Sequence, residues 1–134
     1  MTDKLESSEE HIKVIRTRTR PKVTVGETTK IKMGCGSMYV TVNEDEKGIC
    51  EVFITVGKSG GCVASQCAGL SNLISLALRS NIQIDKIVDQ LSGIRCPEPS
   101  IEDEETVLSC ADGIAKVLDA YFKRKKKEIE KGDK

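Results

Sequence analysis

The 134-residue chain has no tryptophan, two tyrosines and two phenylalanines, so any core it builds has to be aliphatic. It has one histidine, His11, which lies in a polar N-terminal stretch and argues against His-based acid–base or Cys–His catalysis. Charge of one sign is missing as well: Lys plus Arg and Asp plus Glu both number 21, so no overall field draws in nucleic acid or an anionic membrane. Two local basic runs occur, Arg16, Arg18, Arg20 and Lys22 near one end and Lys123 to Lys127 near the other. No aromatic residue is interleaved with them, so they read as solvated termini and not as a nucleic-acid site unless the fold sets them side by side. The longest apolar stretch, around Leu73 to Leu78, is too short to span a bilayer. Met1 to Glu10 is polar and acidic, unlike a signal peptide. Together these absences predict a cytoplasmic protein whose thiols stay reduced.

What the chain does have is six cysteines, and in a reduced compartment these serve metal binding or redox chemistry more readily than disulfides. Residues 1–20 read as a disordered arm, 21–128 as the folded domain and 129–134 as a disordered tail. Val23 and Val25 suggest a short strand, Gly26 to Thr29 a turn, and Thr29 to Met33 a second strand. Met38 to Val42 and Glu51 to Val56 form a hairpin around the polar loop Asn43 to Gly48. From Cys62 to Ser80 the pattern turns helical, with Leu70, Leu73, Ile74, Ala77 and Leu78 marking the buried face. Ile84, Ile87, Val88 and Leu91 give a short amphipathic helix with Gly93 past its end. Ile94 to Thr106 reads as a loop. Ser109 to Asp112 has the form of a capping box and opens a last helix, with Ile114, Val117, Leu118, Tyr121 and Phe122 on one side. Strands first and helices after predict an α+β fold, a small antiparallel sheet of about three strands followed by three helices packed on one face.

Four cysteines sit at the ends of these elements: Cys35 between glycines after a strand, Cys62 at a helix start, Cys96 before Pro97, and Cys110 after the N-cap Ser109. Exposed backbone N–H groups and the positive end of a helix dipole stabilise a thiolate at such places. None of the four lies inside an alternating apolar face, so Cys35, Cys62, Cys96 and Cys110 are the candidate metal ligands. They lack paired Cys-x-x-Cys spacing, which leaves the choice of metal open. Cys50, at the head of a β-rich run, and Cys67, inside a helix, read as packing residues. The segment Gly57 to Gly61 lacks the spacing of a phosphate loop and reads as a strand-to-helix turn. The carboxylates Glu44, Asp45, Glu46 and Glu102 to Glu105 read as solvated surface.

Several segments resemble one family: Gly34-Cys35-Gly36-Ser37-Met38-Tyr39-Val40-Thr41-Val42-Asn43-Glu44-Asp45, Val56 to Cys62, Leu73 to Ser80, Gly93-Ile94-Arg95-Cys96-Pro97 and Leu108-Ser109-Cys110-Ala111-Asp112. Together, over roughly Pro21 to Tyr121, they resemble the TSCPD domain, which occurs at the C-terminus of adenosylcobalamin-dependent ribonucleoside-diphosphate reductases and as a stand-alone protein. In the naming motif this chain has Leu108 for Thr and Ala111 for Pro but keeps Ser109, Cys110 and Asp112. A more distant resemblance, in the order of elements, is to NifU/IscU-type iron–sulfur scaffolds, and it implies that Cys35, Cys62 and Cys110 meet at one end of the sheet.

The resemblance implies a link to deoxyribonucleotide synthesis without making this chain a complete enzyme, because the reductase active site needs a large barrel for which there is no room. Three functions are consistent with the residues. The first is an accessory module with a structural zinc site and a protein partner, which the resemblance suggests is a ribonucleotide reductase catalytic subunit. The second is an iron–sulfur scaffold or carrier. The third is a thiol–disulfide relay.

Overall fold

The computed structural model describes residues 15–34, 36–57, 61–102 and 105–132. Its elements run β1 (Val25–Met33), β2 (Gly36–Asp45), β3 (Gly48–Val56), α1 (Gly61–Arg79), α2 (Ile84–Leu91), β4 (Ser100–Glu102), β5 (Glu105–Val107) and α3 (Cys110–Gly132). The first three strands make one antiparallel sheet in the order β1-β2-β3, and β4 pairs with β5 as a separate ribbon. A three-stranded antiparallel sheet followed by three helices is the α+β arrangement that the residue pattern predicts.

Alternation decides which face of the sheet is buried. Met38, Val40 and Val42 of β2 and Val52 of β3 point into the core, where they meet Ile74 and Leu78 of α1 and Ile114, Val117, Leu118 and Tyr121 of α3. The alternate residues Tyr39 and Phe53 remain partly open to solvent. Helix α2 adds Ile84, Ile87 and Leu91 to the same core and packs on α3.

The structure corrects the sequence reading at four places. The first is β1, which is continuous through Gly26 to Thr29, where a turn was expected. Gly26 pairs with Asn43. A Cβ on Gly26 would stand 1.9 Å from the Val42 carbonyl oxygen, so this glycine permits a close backbone approach inside a strand. The second is the polar stretch Asn43 to Gly48, most of which is also strand. Its register runs to Asp45↔Gly48 with a shift at Asn43/Glu44, because a ladder needs backbone groups and not apolar side chains.

The third is α1, which turns Ile74 and Leu78 inward with Leu70 and Ala77 beside them, as the spacing suggested, but leaves Leu73 outside. Leu73 is 66% exposed, and the buried stripe is Cys67, Ser71, Ile74, Ser75 and Leu78. The reason lies in edge strand β3. The Ser71 hydroxyl donates to the Val52 carbonyl at 2.5 Å. Ser75 accepts from the Val52 N–H at 3.0 Å. Arg79 donates to the Cys50 carbonyl at 3.2 Å. Polar side chains at i, i+4 and i+8 thus satisfy backbone groups that a sheet edge would otherwise leave unpaired. By length and mean hydropathy (1.3) α1 also matches a membrane-crossing helix, but these three side chains are committed to β3.

The fourth is the segment 94–106, expected to be a loop, which contains β4 and the start of β5. Helix α3 runs on to Gly132, and Thr17 and Arg18 are hydrogen-bonded to Ser80 and Arg79.

Candidate metal centre

The β1–β2 turn, the exit of β3 and the start of α3 lie at one end of the sheet. Gly57, just past β3, donates its N–H to the Ser37 carbonyl at 3.0 Å, which sets the approach to α1 beside the start of β2. Gly113, in the first turn of α3, is pressed so close to the sheet that a Cβ there would stand 3.1 Å from the Met38 methyl and 3.5 Å from the Met33 sulfur. At Gly34 the contact is tighter, since a Cβ would fall 1.9 Å from the Glu98 carbonyl oxygen. The β1–β2 turn therefore sits against the Cys96-Pro97-Glu98 loop on one side and against the head of α3 on the other.

Hydrogen bonds tie the loop to that helix. Cys96 donates its N–H to the Leu108 carbonyl at 3.0 Å. The Ser109 hydroxyl donates to the Ile94 carbonyl at 2.5 Å and accepts from the Asp112 N–H at 3.1 Å, which is the N-cap bond expected of it. Asp112 does not close the capping box back onto Ser109. Its carboxylate accepts instead from the N–H of Gly93 at 2.9 Å and of Leu108 at 3.0 Å, and Lys116 Nζ stands 3.5 Å away. Burial pushes the Asp112 carboxyl up, but the two N–H donors and the Lys116 ammonium outweigh it and hold the group below its ordinary value. Gly93 itself has φ +83°, in keeping with its expected place past the end of α2.

Of the four candidate ligands, Cys35 lies outside the described residues, although its neighbours Gly34 and Gly36 are within them. Cys62 is exposed on the first turn of α1. Cys96 is half-buried, and its sulfur accepts the Glu98 N–H at 3.4 Å. Cys110 is half-buried at the first position of α3 and packs against the core. Among the described residues, no three His, Cys, Asp or Glu side chains are grouped closely enough to hold a metal ion. The structure thus brings the Cys96 and Cys110 segments together and sets both against the residues beside Cys35, while Cys62 stays at the surface. The donor chemistry suits a thiophilic metal, because two of the sulfurs lie at helix starts and a third receives a backbone N–H.

Cys50 and Cys67 are buried, as packing residues would be. Burial, together with the nearby Asp45 and Glu51 carboxylates, pushes the Cys50 thiol up, which disfavours its thiolate. Histidine 11 and the strand-to-helix segment 58–60 fall outside the described residues. Asp45, expected to be solvated, instead pairs with Arg18, with Nε to Oδ2 at 3.0 Å. Glu44, also expected at the surface, accepts the Tyr121 hydroxyl.

Comparison with known families decides what kind of domain carries this cysteine end. The TSCPD domain matches residues 10–122. The chain belongs to the TSCPD domain family. This agrees with the resemblance read from the cysteine-bearing segments, and the match takes in all four candidate ligands as well as residues ahead of Pro21. No curated protein and no solved structure matches the chain, so the likeness to iron–sulfur scaffolds rests on the order of elements alone.

Proposed function

We propose that this TSCPD domain is a cysteine-based metal-binding module of the cytoplasm, accessory to ribonucleotide reduction and acting through a protein partner. The family is associated with ribonucleotide reductase, which supports a role beside that enzyme. The observation that carries the metal reading is the packing of the Gly34 turn against the Cys96 loop and of that loop against the head of α3. Cys35, Cys62, Cys96 and Cys110 would supply four thiolates, a set that suits a closed structural zinc site, in which the metal would tie turn, loop and helix together. The partner on this reading is a reductase catalytic subunit.

The test is elemental analysis with a visible spectrum on protein purified without oxygen, beside a Cys110→Ser variant. About one zinc per chain, lost in the variant together with thermal stability, supports the proposal. Iron with sulfide and a broad visible absorbance moves the function to a cluster scaffold. Absence of any metal, with thiols that titrate rapidly, sinks the four-ligand site and leaves disulfide exchange as the reading to pursue. Failure to co-migrate with an adenosylcobalamin-dependent reductase subunit on gel filtration would remove the partner assignment.

A further inference from the structure

The cysteine end is one pole of the molecule, and the opposite pole carries a site of a different kind. Strand β2 runs from Gly36 at the first pole to Asp45 at the second, a span of roughly 30 Å for its ten residues. Helix α3 likewise leads from Cys110 to Gly132. At the far end, between the β2–β3 hairpin, the α1–α2 junction and the second half of α3, lies a groove of about 460 Å³. That size is in the range of ligand sites.

Its floor and walls are apolar, formed by Ile49, Ile82, Phe122 and Ile129 with Leu78 and Ile84 beneath. Ile129 is 65% exposed and Ile82 is 38% exposed. Helix α3 has no buried residue beyond Tyr121, so its last turns do not serve this domain's core. They do build one bank of the groove, with Phe122, Lys125, Lys126 and Ile129 recurring at i, i+3, i+4 and i+7.

The charges at the rim indicate what the groove fits. Arg18 is neutralised by Asp45, and Glu44 is taken up by the Tyr121 hydroxyl and by Lys125 at 3.6 Å. That leaves Lys47 on the hairpin bank and Lys126 on the helix bank, neither of which has an ion-pair partner among the described residues. An occupant therefore needs an apolar stripe for the isoleucines and Phe122, with carboxylates on both flanks. An acyl-chain anion meets this poorly, since the cations stand on both banks and the isoleucines are open to water. A nucleic acid meets it poorly too, because Arg18 is already neutralised and Glu44 and Asp45 stand at the rim.

We infer that this groove is a docking site for an acidic amphipathic helix of a partner protein. The inference rests on the accessory reading above only in taking the partner to be a protein, and the groove shares no residue with the cysteine end. The probe is a fluorescein-labelled peptide of about 18 residues with leucines along one face and glutamates beside them, titrated into the full chain and followed by anisotropy. The expected result is saturable binding that weakens with salt and falls at least about tenfold in a Lys47→Glu/Lys126→Glu variant and in Ile129→Glu. These are surface positions, and circular dichroism melts establish that the variants remain folded. Unchanged binding by either variant, equal binding of a scrambled peptide, or no binding overturns the assignment. Displacement of the peptide by a short single-stranded oligonucleotide or by anionic vesicles at lower concentration also overturns it, in favour of those ligands. Repeating the titration with Cys110→Ser separates the two proposals: binding that persists after metal is lost, or in a chain that never held metal, leaves the groove standing whatever becomes of the metal centre.

Discussion

Asp112 is buried in the first turn of α3 and joins three segments through one carboxylate, accepting from Gly93 and Leu108 while Lys116 stands beside it. Its replacement by alanine leaves two N–H groups without their acceptor next to the Cys96 loop, and the expected loss is about 2–3 kcal/mol in urea unfolding near neutral pH. The pH dependence has a definite sign. The folded group titrates below its ordinary value of 3.8, so its contribution is fully present above that value and is lost as pH falls through the folded pKa. Glu51 is held low in the same sense. Burial pushes it up, but Arg20, Asn43 and Thr24 outweigh that with four hydrogen bonds to a carboxylate only 1% exposed. Stability should therefore be level from about pH 7 to 5 and fall below about 4, with a shallower acid limb in Asp112→Ala; an unchanged limb would show that the carboxylate does not act this way. The serine–aspartate pair was legible in the sequence as a helix start. The aspartate's actual partners were not, because Gly93 lies 19 residues away and only the fold brings it near.

At the scale of elements, glycine and serine do work that apolar periodicity does not reveal. Ser71 and Ser75 are buried because the edge of β3 needs their hydroxyls, so Leu73, expected in the core, faces out. Gly34 brings the β1–β2 turn to the Glu98 carbonyl with no room for a side chain. Substituting Gly34→Ala should push that turn away from the Cys96 loop without touching any sulfur. The expected outcome is a lower melting temperature and, if the proposed metal centre exists, weaker metal retention against a chelator. A variant that melts and retains metal like the parent would mean that this packing does not position the ligands. The ribbon β4–β5 escaped the sequence reading because strands of three residues carry too little alternation to register.

Across the whole molecule, residues 17–24 act as a strap. Arg18 donates to Asp45, to the Ile49 and Leu78 carbonyls and to the Asn81 side chain, and its own N–H donates to the Arg79 carbonyl. Arg20 and Thr24 close over Glu51 on the sheet face away from the helices. One guanidinium thus joins the β2–β3 hairpin to the α1–α2 junction, two of the three elements that enclose the groove. Arg18→Ala should speed amide hydrogen exchange in residues 45–49 and 78–82 while leaving 108–114 unchanged; a uniform increase would mean that the strap supports global stability and not this pole.

The sequence by itself determined the α+β class, the order of the main sheet and the three helices, the aliphatic core of β2 and α3, the N-cap at Ser109, the burial of Cys50 and Cys67, and the family. Each of these depends on local periodicity, capping chemistry or segments read in order. Tertiary structure alone decided that Arg18 and Arg20 of a basic N-terminal run would clamp the carboxylates of Asp45 and buried Glu51, and that α1 would turn a polar stripe inward. It also decided that the Cys96 and Cys110 segments would meet at one pole while Lys47 and Lys126 line a groove at the other. Those outcomes depend on which backbone groups and charges from distant segments need partners, and that need arises only when the sheet and helices have come together.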